Sequence, residues 1–362
     1  MKVHTNYSLL QHNTFKLHVT AKYFVEIDSE NDVKEFVSDK TYNGLPVLIL
    51  GDGANMLFTK DFEGVVLYIN IRGIQIVSED AENVILDVGA GENWNDLVKY
   101  TVSHNWGGIE NLCLIPGKVG AAPVQNIAAY GQNFSECFVS LVAYELSTGT
   151  KKVFINEECE FAYRTSIFKS KLANKWLISS VRIRLQKNAI VNTSYFETGK
   201  SYTQKGSLEQ ELSTFAKPPY SIADVSKAVS IIRTKKLPDI NKFGTAGSFF
   251  KNPIVSIEVY KKLKSEDPDL QCYPTDQLSY PKVDDEYLKT QKFVKIPAAR
   301  LLDNLGWKGK HIGNVGCYEN QALALVNYGN ATPDELVRLY KQIQKSVKEK
   351  YNIDLETEVH II

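Results

Sequence analysis

Excess charge of either sign is missing from this sequence. Its 362 residues carry 42 Lys and Arg against 42 Asp and Glu. The basic surplus with which nucleic-acid binders neutralise phosphate is therefore absent, and so is a polybasic membrane patch. Cysteine is sparse. Cys113, Cys137, Cys159, Cys272 and Cys317 are odd in number and scattered, with no C-x-x-C pair. That pattern excludes a zinc ribbon or a disulfide framework and reads as buried, reduced thiols. The six histidines form no H-x-x-x-H or H-E-x-x-H pair, so no metal is expected. Long apolar runs are lacking too: stretches such as residues 46–50 fall far short of a membrane span. Residues 1–10 lack the basic-then-apolar pattern of a secretory signal. A cytoplasmic protein without nucleic-acid or membrane partners is expected, as a monomer or weak oligomer. Neither repeats nor low-complexity tracts occur.

What is present is an ordinary globular composition, 43% hydrophobic and 23% charged, in a chain long enough for two or three domains. β-Branched runs ended by Gly or Asn predict strands at 47–50, 65–69, 84–88, 139–146 and 176–185. Trp94, Leu97, Val98, Thr101 and Val102 form one apolar stripe of a helix over 94–104. Ser221 with Asp224 forms a capping box ahead of Ile222, Val225, Val229 and Ile232, which share a helical face. Leu237-Pro238-Asp239 breaks that helix and marks a domain boundary. A helix from about Ser256 and a polar surface excursion over 264–290 follow. Thr332-Pro333-Asp334-Glu335 combines a capping box with Pro at the first helical position. Leu336, Tyr340, Ile343, Val347 and Tyr351 should line that last helix, before an alternating strand over 355–361.

Two segments are rich in small residues. Gly51-Asp52-Gly53-Ala54-Asn55 follows a strand and can offer backbone N–H groups to a phosphate. A Rossmann reading fails, because the third glycine would fall on Met56, no clear helix follows, and no acidic residue is spaced for a ribose. A plain strand–turn–strand connection is the alternative. The second runs from Ile115-Pro116-Gly117 through Gly120-Ala121-Ala122 and Gln125-Asn126 to Gly131. Its low bulk lets the backbone lie against a flat ligand, or simply makes a tight interdomain loop. Two such segments in one half favour a large extended cofactor.

The most unusual stretch is Gly244-Thr245-Ala246-Gly247-Ser248-Phe249-Phe250-Lys251-Asn252-Pro253. Ser248 and Lys251 spell S-x-x-K, but Ser166 and Lys169 do too, and the companion S-D-N and K-T-G motifs of acyl enzymes are missing. No G-x-S-x-G elbow occurs. A turn-capping serine and a serine donating a proton beside a redox centre are both open readings. Arg164, among aromatics, is either a snorkelling surface residue or a bidentate carboxylate clamp. Glu356 and Glu358 share a strand face, at a solvated edge or in a site.

Together these segments resemble the UDP-N-acetylenolpyruvoylglucosamine reductases, in their longer (type I) form, over about residues 13–359. The matches, in family order, are GDGANMLF (51–58), GAGENWNDLVKY (89–100), IENLCLIPGKVGAAPVQNIAAYG (109–131), FAYRTSIFK (161–169), RTKKLPD (233–239), GTAGSFFKNP (244–253) and LETEV (355–359). The resemblance implies an α+β chain: a two-subdomain FAD-binding unit of the vanillyl-alcohol-oxidase/PCMH type over 1–235 (subdomains about 1–75 and 76–235), a separate α+β substrate-binding domain over 236–350, and a C-terminal strand, 351–362, returning to the active site. It implies FAD as cofactor and NADPH as co-substrate, with a nucleotide sugar carrying an enolpyruvyl ether as the small-molecule substrate. Gly51 to Asn55 would cradle the FAD pyrophosphate, and the segment from Ile115 to Gly131 would wrap the flavin. Ala121 and Ala122 stand where the family often has serines, so backbone contacts would replace hydroxyl contacts there. Arg164 and Glu358 would stabilise an enolate-like state, and Ser248 would protonate the substrate carbon. Lys236, Asn252 and Tyr195 would bind or cover the substrate. The competing expectations are another FAD oxidoreductase on the same scaffold and a non-catalytic nucleotide-sugar binder.

Overall fold

Successive residues of the strand Phe62–Ile69 feed different hydrophobic cores, and this organises the molecule. The computed structural model describes residues 1–195, 208–275, 283 and 285–362; residues 276–282 and 284 of the expected 264–290 excursion lie outside them. Phe62–Ile69 sits between Thr20–Ile27 and Val47–Leu50, parallel to both, and Lys2–Ser8 pairs antiparallel with Thr20–Ile27. Side chains alternate across a strand. Val65, Leu67 and Ile69 therefore enter one core, while Val66 enters the other. Such a central, doubly covered strand reads as a continuous apolar run. The helix Glu30–Ser38, started by a Ser29–Asp32 capping box, makes the crossover that parallel pairing requires.

On one side of this sheet lies a five-stranded antiparallel sheet. Its order is Lys151–Ile155, Phe138–Glu145, Trp176–Gln186, Asn83–Gly89, Ile74–Glu79. Leu177, Val181, Ile183 and Leu185 point into the core, as their alternation predicts. The helices Trp94–Ser103 and Ile222–Lys236 contribute to the same core. In both, the predicted stripe is buried or half-buried. In the second, Ala228 joins it, and the Ser221–Asp224 box is present in both directions.

On the other side, Gly244–Ser248 pairs with Ala324–Asn327, followed by Val315–Cys317 and His311–Ile312. The helix Pro333–Tyr351 covers this sheet with Leu336, Leu339, Tyr340, Ile343 and Val347, and the Thr332–Glu335 box caps it. Leu339 takes a buried position that the sequence reading gave to Tyr351, which is only half-buried. The polar stretch from 264 is less irregular than expected. The helix Ile257–Glu266 runs into it, and Asp285–Thr290 is helical.

The expected strand over 355–361 does not form as one element. Thr357 makes an isolated bridge with Phe250, and only His360–Ile361 forms a short parallel pair with Met56–Leu57. Leu355 and Val359 are buried and Glu356 is exposed, so the apolar pattern anchors the segment without a continuous ladder. The consequence is positional: the C-terminal residues are stitched simultaneously to the 244–253 segment and to the chain just after Gly51.

Candidate active site

The strand Val47–Leu50 delivers Gly51 to the edge of the first sheet. Gly53 holds φ +63°, and a Cβ there would lie 2.2 Å from the His12 carbonyl oxygen, so only glycine fits this turn. The turn is pinned from behind, where the Thr14 N–H and hydroxyl both donate to the Gly53 carbonyl. Among the described residues, the N–H groups of Gly53 and Ala54 make no hydrogen bond, which leaves adjacent donors for an anion.

The second small-residue segment closes against the first. A Cβ on Gly117 would stand 3.7 Å from the Ala54 Cβ, and one on Gly120 only 2.6 Å from the Ala90 Cβ. Residues 119–125 form two short helical turns ending at Asn126, whose φ is +45°. Asn126 is 1% exposed. Its amide donates to the Ala162 carbonyl and its side-chain oxygen accepts from the Ser135 N–H. Its backbone N–H donates to the Ala122 carbonyl, so the residue is held entirely by the protein. Ile115, Pro116, Ala121 and Gly131 are partly or fully accessible, whereas Ala122 is buried.

Three distant segments meet beside these loops. The Arg164 Nε lies 3.0 Å from Glu358 Oε1, and its Nη2 donates to the Ala128 carbonyl at 2.9 Å. The same Glu358 oxygen accepts from Gln125 Nε2 at 3.0 Å. The Glu358 N–H donates to the Phe249 carbonyl at 2.8 Å, which locks the residue next to Ser248. The Glu358 carbonyl accepts from the Asn55 amide and the Lys169 ammonium, each at 3.2 Å. Lys169 also donates to Gln125 Oε1. Arg164 holds φ +55°, a left-handed conformation that costs a non-glycine residue roughly 1–2 kcal/mol. Such strain persists where surroundings over-determine it, and here the Ala162–Thr165 bridge and the Glu358 pair do so.

Ser248 is exposed. The register slips between Thr245 and Ser248, and Gly247 at φ +73° makes that possible. Beyond the bulge Ser248 still pairs with Ala324, and among the described residues its exposed hydroxyl makes no hydrogen bond. Phe249 and Phe250 are buried and fix the backbone on either side of the Glu358 contact.

The electrostatics of the cluster are dominated by amines. Burial pulls the Lys169 ammonium down to about 8, against the raising effect of Glu358. Lys295 is fully buried, with its Nζ 4.2 Å from the centroid of the Tyr163 ring, adjacent to Arg164 in the chain. Neither lysine is among the expected site residues. Lys169 closes the FAYRTSIFK segment, so its signal was in view. Lys295 ends the short strand Phe293–Lys295 and carries no motif.

The remaining expected site residues lie further out. Tyr195 sets its ring edge-on to Tyr130 with centroids 4.7 Å apart, against the second small-residue segment. Lys236 ends the helix Ile222–Lys236. The Asn252 side-chain oxygen accepts from the Ala298 N–H at 3.0 Å and so starts the helix Ala298–Asn304, leaving its amide as the group that can face a ligand. Among the described residues, no group of three or more His, Cys, Asp or Glu is placed to hold a metal.

Two family models match the chain: an FAD binding domain over residues 21–153, and the C-terminal domain of UDP-N-acetylenolpyruvoylglucosamine reductase over 238–362. The UDP-N-acetylenolpyruvoylglucosamine reductase of Flavobacterium johnsoniae is 39% identical over 363 residues, covering 100% of both chains. That of Amoebophilus asiaticus is 40% identical over 362 residues, again covering 100% of both. The crystal structure of UDP-N-acetylenolpyruvylglucosamine reductase from Thermus caldophilus superposes with a TM-score of 0.62 at 19% identity, covering 99% of this chain and 98% of that one. It shares the overall fold. An FAD-binding unit followed by this C-terminal domain, together with full-length identity near two residues in five, places the chain in a family: it belongs to the UDP-N-acetylenolpyruvoylglucosamine reductases.

Proposed function

We propose that this chain reduces UDP-N-acetylglucosamine enolpyruvate to UDP-N-acetylmuramate with FAD as cofactor and NADPH as hydride donor. This is a cytoplasmic step of peptidoglycan precursor synthesis, and so serves cell shape and division. The observation that carries the reading is the convergence of Arg164, Glu358 and the Ser248 segment, from three distant parts of the chain, beside two small-residue loops. Those loops fit a dinucleotide. Gly53 and Gly120 let the two loops pack closely on His12 and Ala90, and among the described residues the Gly53 and Ala54 N–H groups make no hydrogen bond. Residues 51–55 would hold the pyrophosphate, and residues 115–131 the flavin ring. FAD held there would supply the hydride-transfer chemistry that links NADPH to the enolpyruvyl group.

The chain's own residues do the rest. Arg164 presents a planar cation to the substrate carboxylate, where negative charge builds as hydride arrives; a charge fixed in advance costs no reorganisation at that moment. Glu358 and Ala128 hold the guanidinium in place. Ser248, exposed on its bulge, gives its hydroxyl proton to the adjacent carbon. Lys236 and the Asn252 amide bind phosphates or hydroxyls of the nucleotide sugar, and Tyr195 covers it. In this division of labour residues 1–235 hold the flavin, 236–350 the substrate, and 351–362 return Glu358 to the centre. Among the described residues no helix is long and apolar enough to cross a membrane.

The test is the product. Incubation with NADPH and the enolpyruvyl sugar nucleotide should yield, by mass spectrometry, a nucleotide sugar heavier by two hydrogens, with equimolar NADPH consumed. NADPH oxidation that leaves the sugar unchanged would contradict the assignment.

A further inference from the structure

One buried cation that the mechanism does not use stands between the two small-residue loops. Lys118 sits near the start of the second small-residue segment and is 4% exposed. Its stem runs under the first loop, with Cβ and Cγ each 3.5 Å from the position a Gly51 Cβ would take. Its Nζ is buried without a hydrogen-bond partner among the described residues. It lies 3.9 Å from Asp52 Oδ1 and 4.2 Å from the centroid of the Tyr68 ring. An ammonium removed from water without hydrogen bonds is costly, so its retention calls for a partner that a single carboxylate at that distance does not supply. The loop meanwhile has the opposite problem. It offers N–H groups to an anion yet carries the Asp52 carboxylate, which repels one.

We propose that Lys118 is the counter-charge that lets the Asp52-bearing loop accept a dinucleotide pyrophosphate, cancelling the carboxylate from beneath. This rests on the reading that residues 51–55 cradle FAD, and it assigns affinity to a side chain, where that reading uses only backbone.

A pH signature follows. Burial brings Lys118 down to about 8; Asp52, Glu92 and Asp28 support its charge and Arg72 opposes it. A bound pyrophosphate raises that value, so binding takes up a proton once pH exceeds it. FAD affinity is full below about pH 8 and falls as pH rises further. Of the neighbours, His12, lowered from 6.5 by burial, titrates below this window and Tyr68, raised from 10.0 by burial, above it, while burial raises the Asp52 carboxyl from 3.8 against the lowering effect of Lys118.

The experiment strips the flavin and titrates FAD back, following quenching of its fluorescence at several pH values. Wild-type affinity should fall from about pH 7 to about pH 9. K118M should bind at least about tenfold more weakly at neutral pH, without that fall. D52N/K118M should recover most of the loss, because the repelling carboxylate has gone too. A K118M protein that binds FAD as wild type does, whatever its melting temperature, overturns the proposal; so does a double variant as weak as K118M. If K118M fails to fold, a flat wild-type profile overturns it and a falling one supports it. Wild-type protein that never binds FAD removes the parent reading as well, which separates the two failures.

Discussion

Replacing Ser248 by alanine is expected to slow reduction of the enolpyruvyl sugar by about 10²- to 10⁴-fold, the range typical of a lost general acid, while NADPH reduces the flavin at close to the wild-type rate. The asymmetry follows from where the hydroxyl stands. Ser248 is exposed on a glycine-enabled bulge, and the backbone beside it is fixed by the Phe249 carbonyl and the Glu358 N–H. Alanine keeps that backbone and removes only the transferable proton. NADPH delivers a hydride and needs no proton from this position, so the first half-reaction is spared. Stopped-flow absorbance measures the two half-reactions separately in one instrument. Equal losses in both would remove Ser248 as the proton donor and recast it as a residue that shapes the cleft.

The second large effect is expected at Arg164. Arg164→Lys should cost about 10²- to 10³-fold in kcat/KM for the sugar substrate, comparable to losing one preorganised donor to a developing negative charge. The guanidinium spends Nε on Glu358 and Nη2 on Ala128, two anchors that fix the orientation of its plane. A lysine ammonium is a point charge that cannot hold both anchors and present a fork to the substrate. The substitution is well controlled, because residue 164 has φ +55° and lysine meets the same backbone strain as arginine. Only the head group changes. Steady-state kinetics with the sugar varied, alongside NADPH half-reaction rates, give the comparison. Turnover within about threefold of wild type would exclude Arg164 from stabilising the transition state.

How far the site could be read in the sequence depended on how local its causes were. Capping boxes at Ser221 and Thr332 are determined by their immediate neighbours, and the structure bears them out. The strand from Trp176 to Gln186 was legible because period-2 alternation reports one buried face. What could not be read is what tertiary pairing decides. Gln125 and Glu358 meet across 233 residues of chain, and no local pattern announces that. Nothing local distinguishes Lys169 and Lys118 from the solvated side chains that lysines usually are; both are largely buried, and burial depresses them to about 8. The C-terminal segment shows the opposite error. Its apolar alternation suggested a strand over 355–361, but the structure uses those side chains as anchors and leaves only His360–Ile361 in a ladder. That irregular path is what lets one residue, Glu358, reach Phe249, Gln125, Asn55, Arg164 and Lys169 together.

An anaerobic absorbance titration of the purified protein tests the central claim most directly. The expected result is a flavin spectrum that bleaches on addition of NADPH and returns when the enolpyruvyl sugar nucleotide follows, identifying cofactor, donor and acceptor in one cuvette. Flavin bands that bleach and fail to return would contradict the proposed substrate, and protein that shows no flavin bands after incubation with FAD would contradict the assignment of residues 51–55 and 115–131 as its cradle.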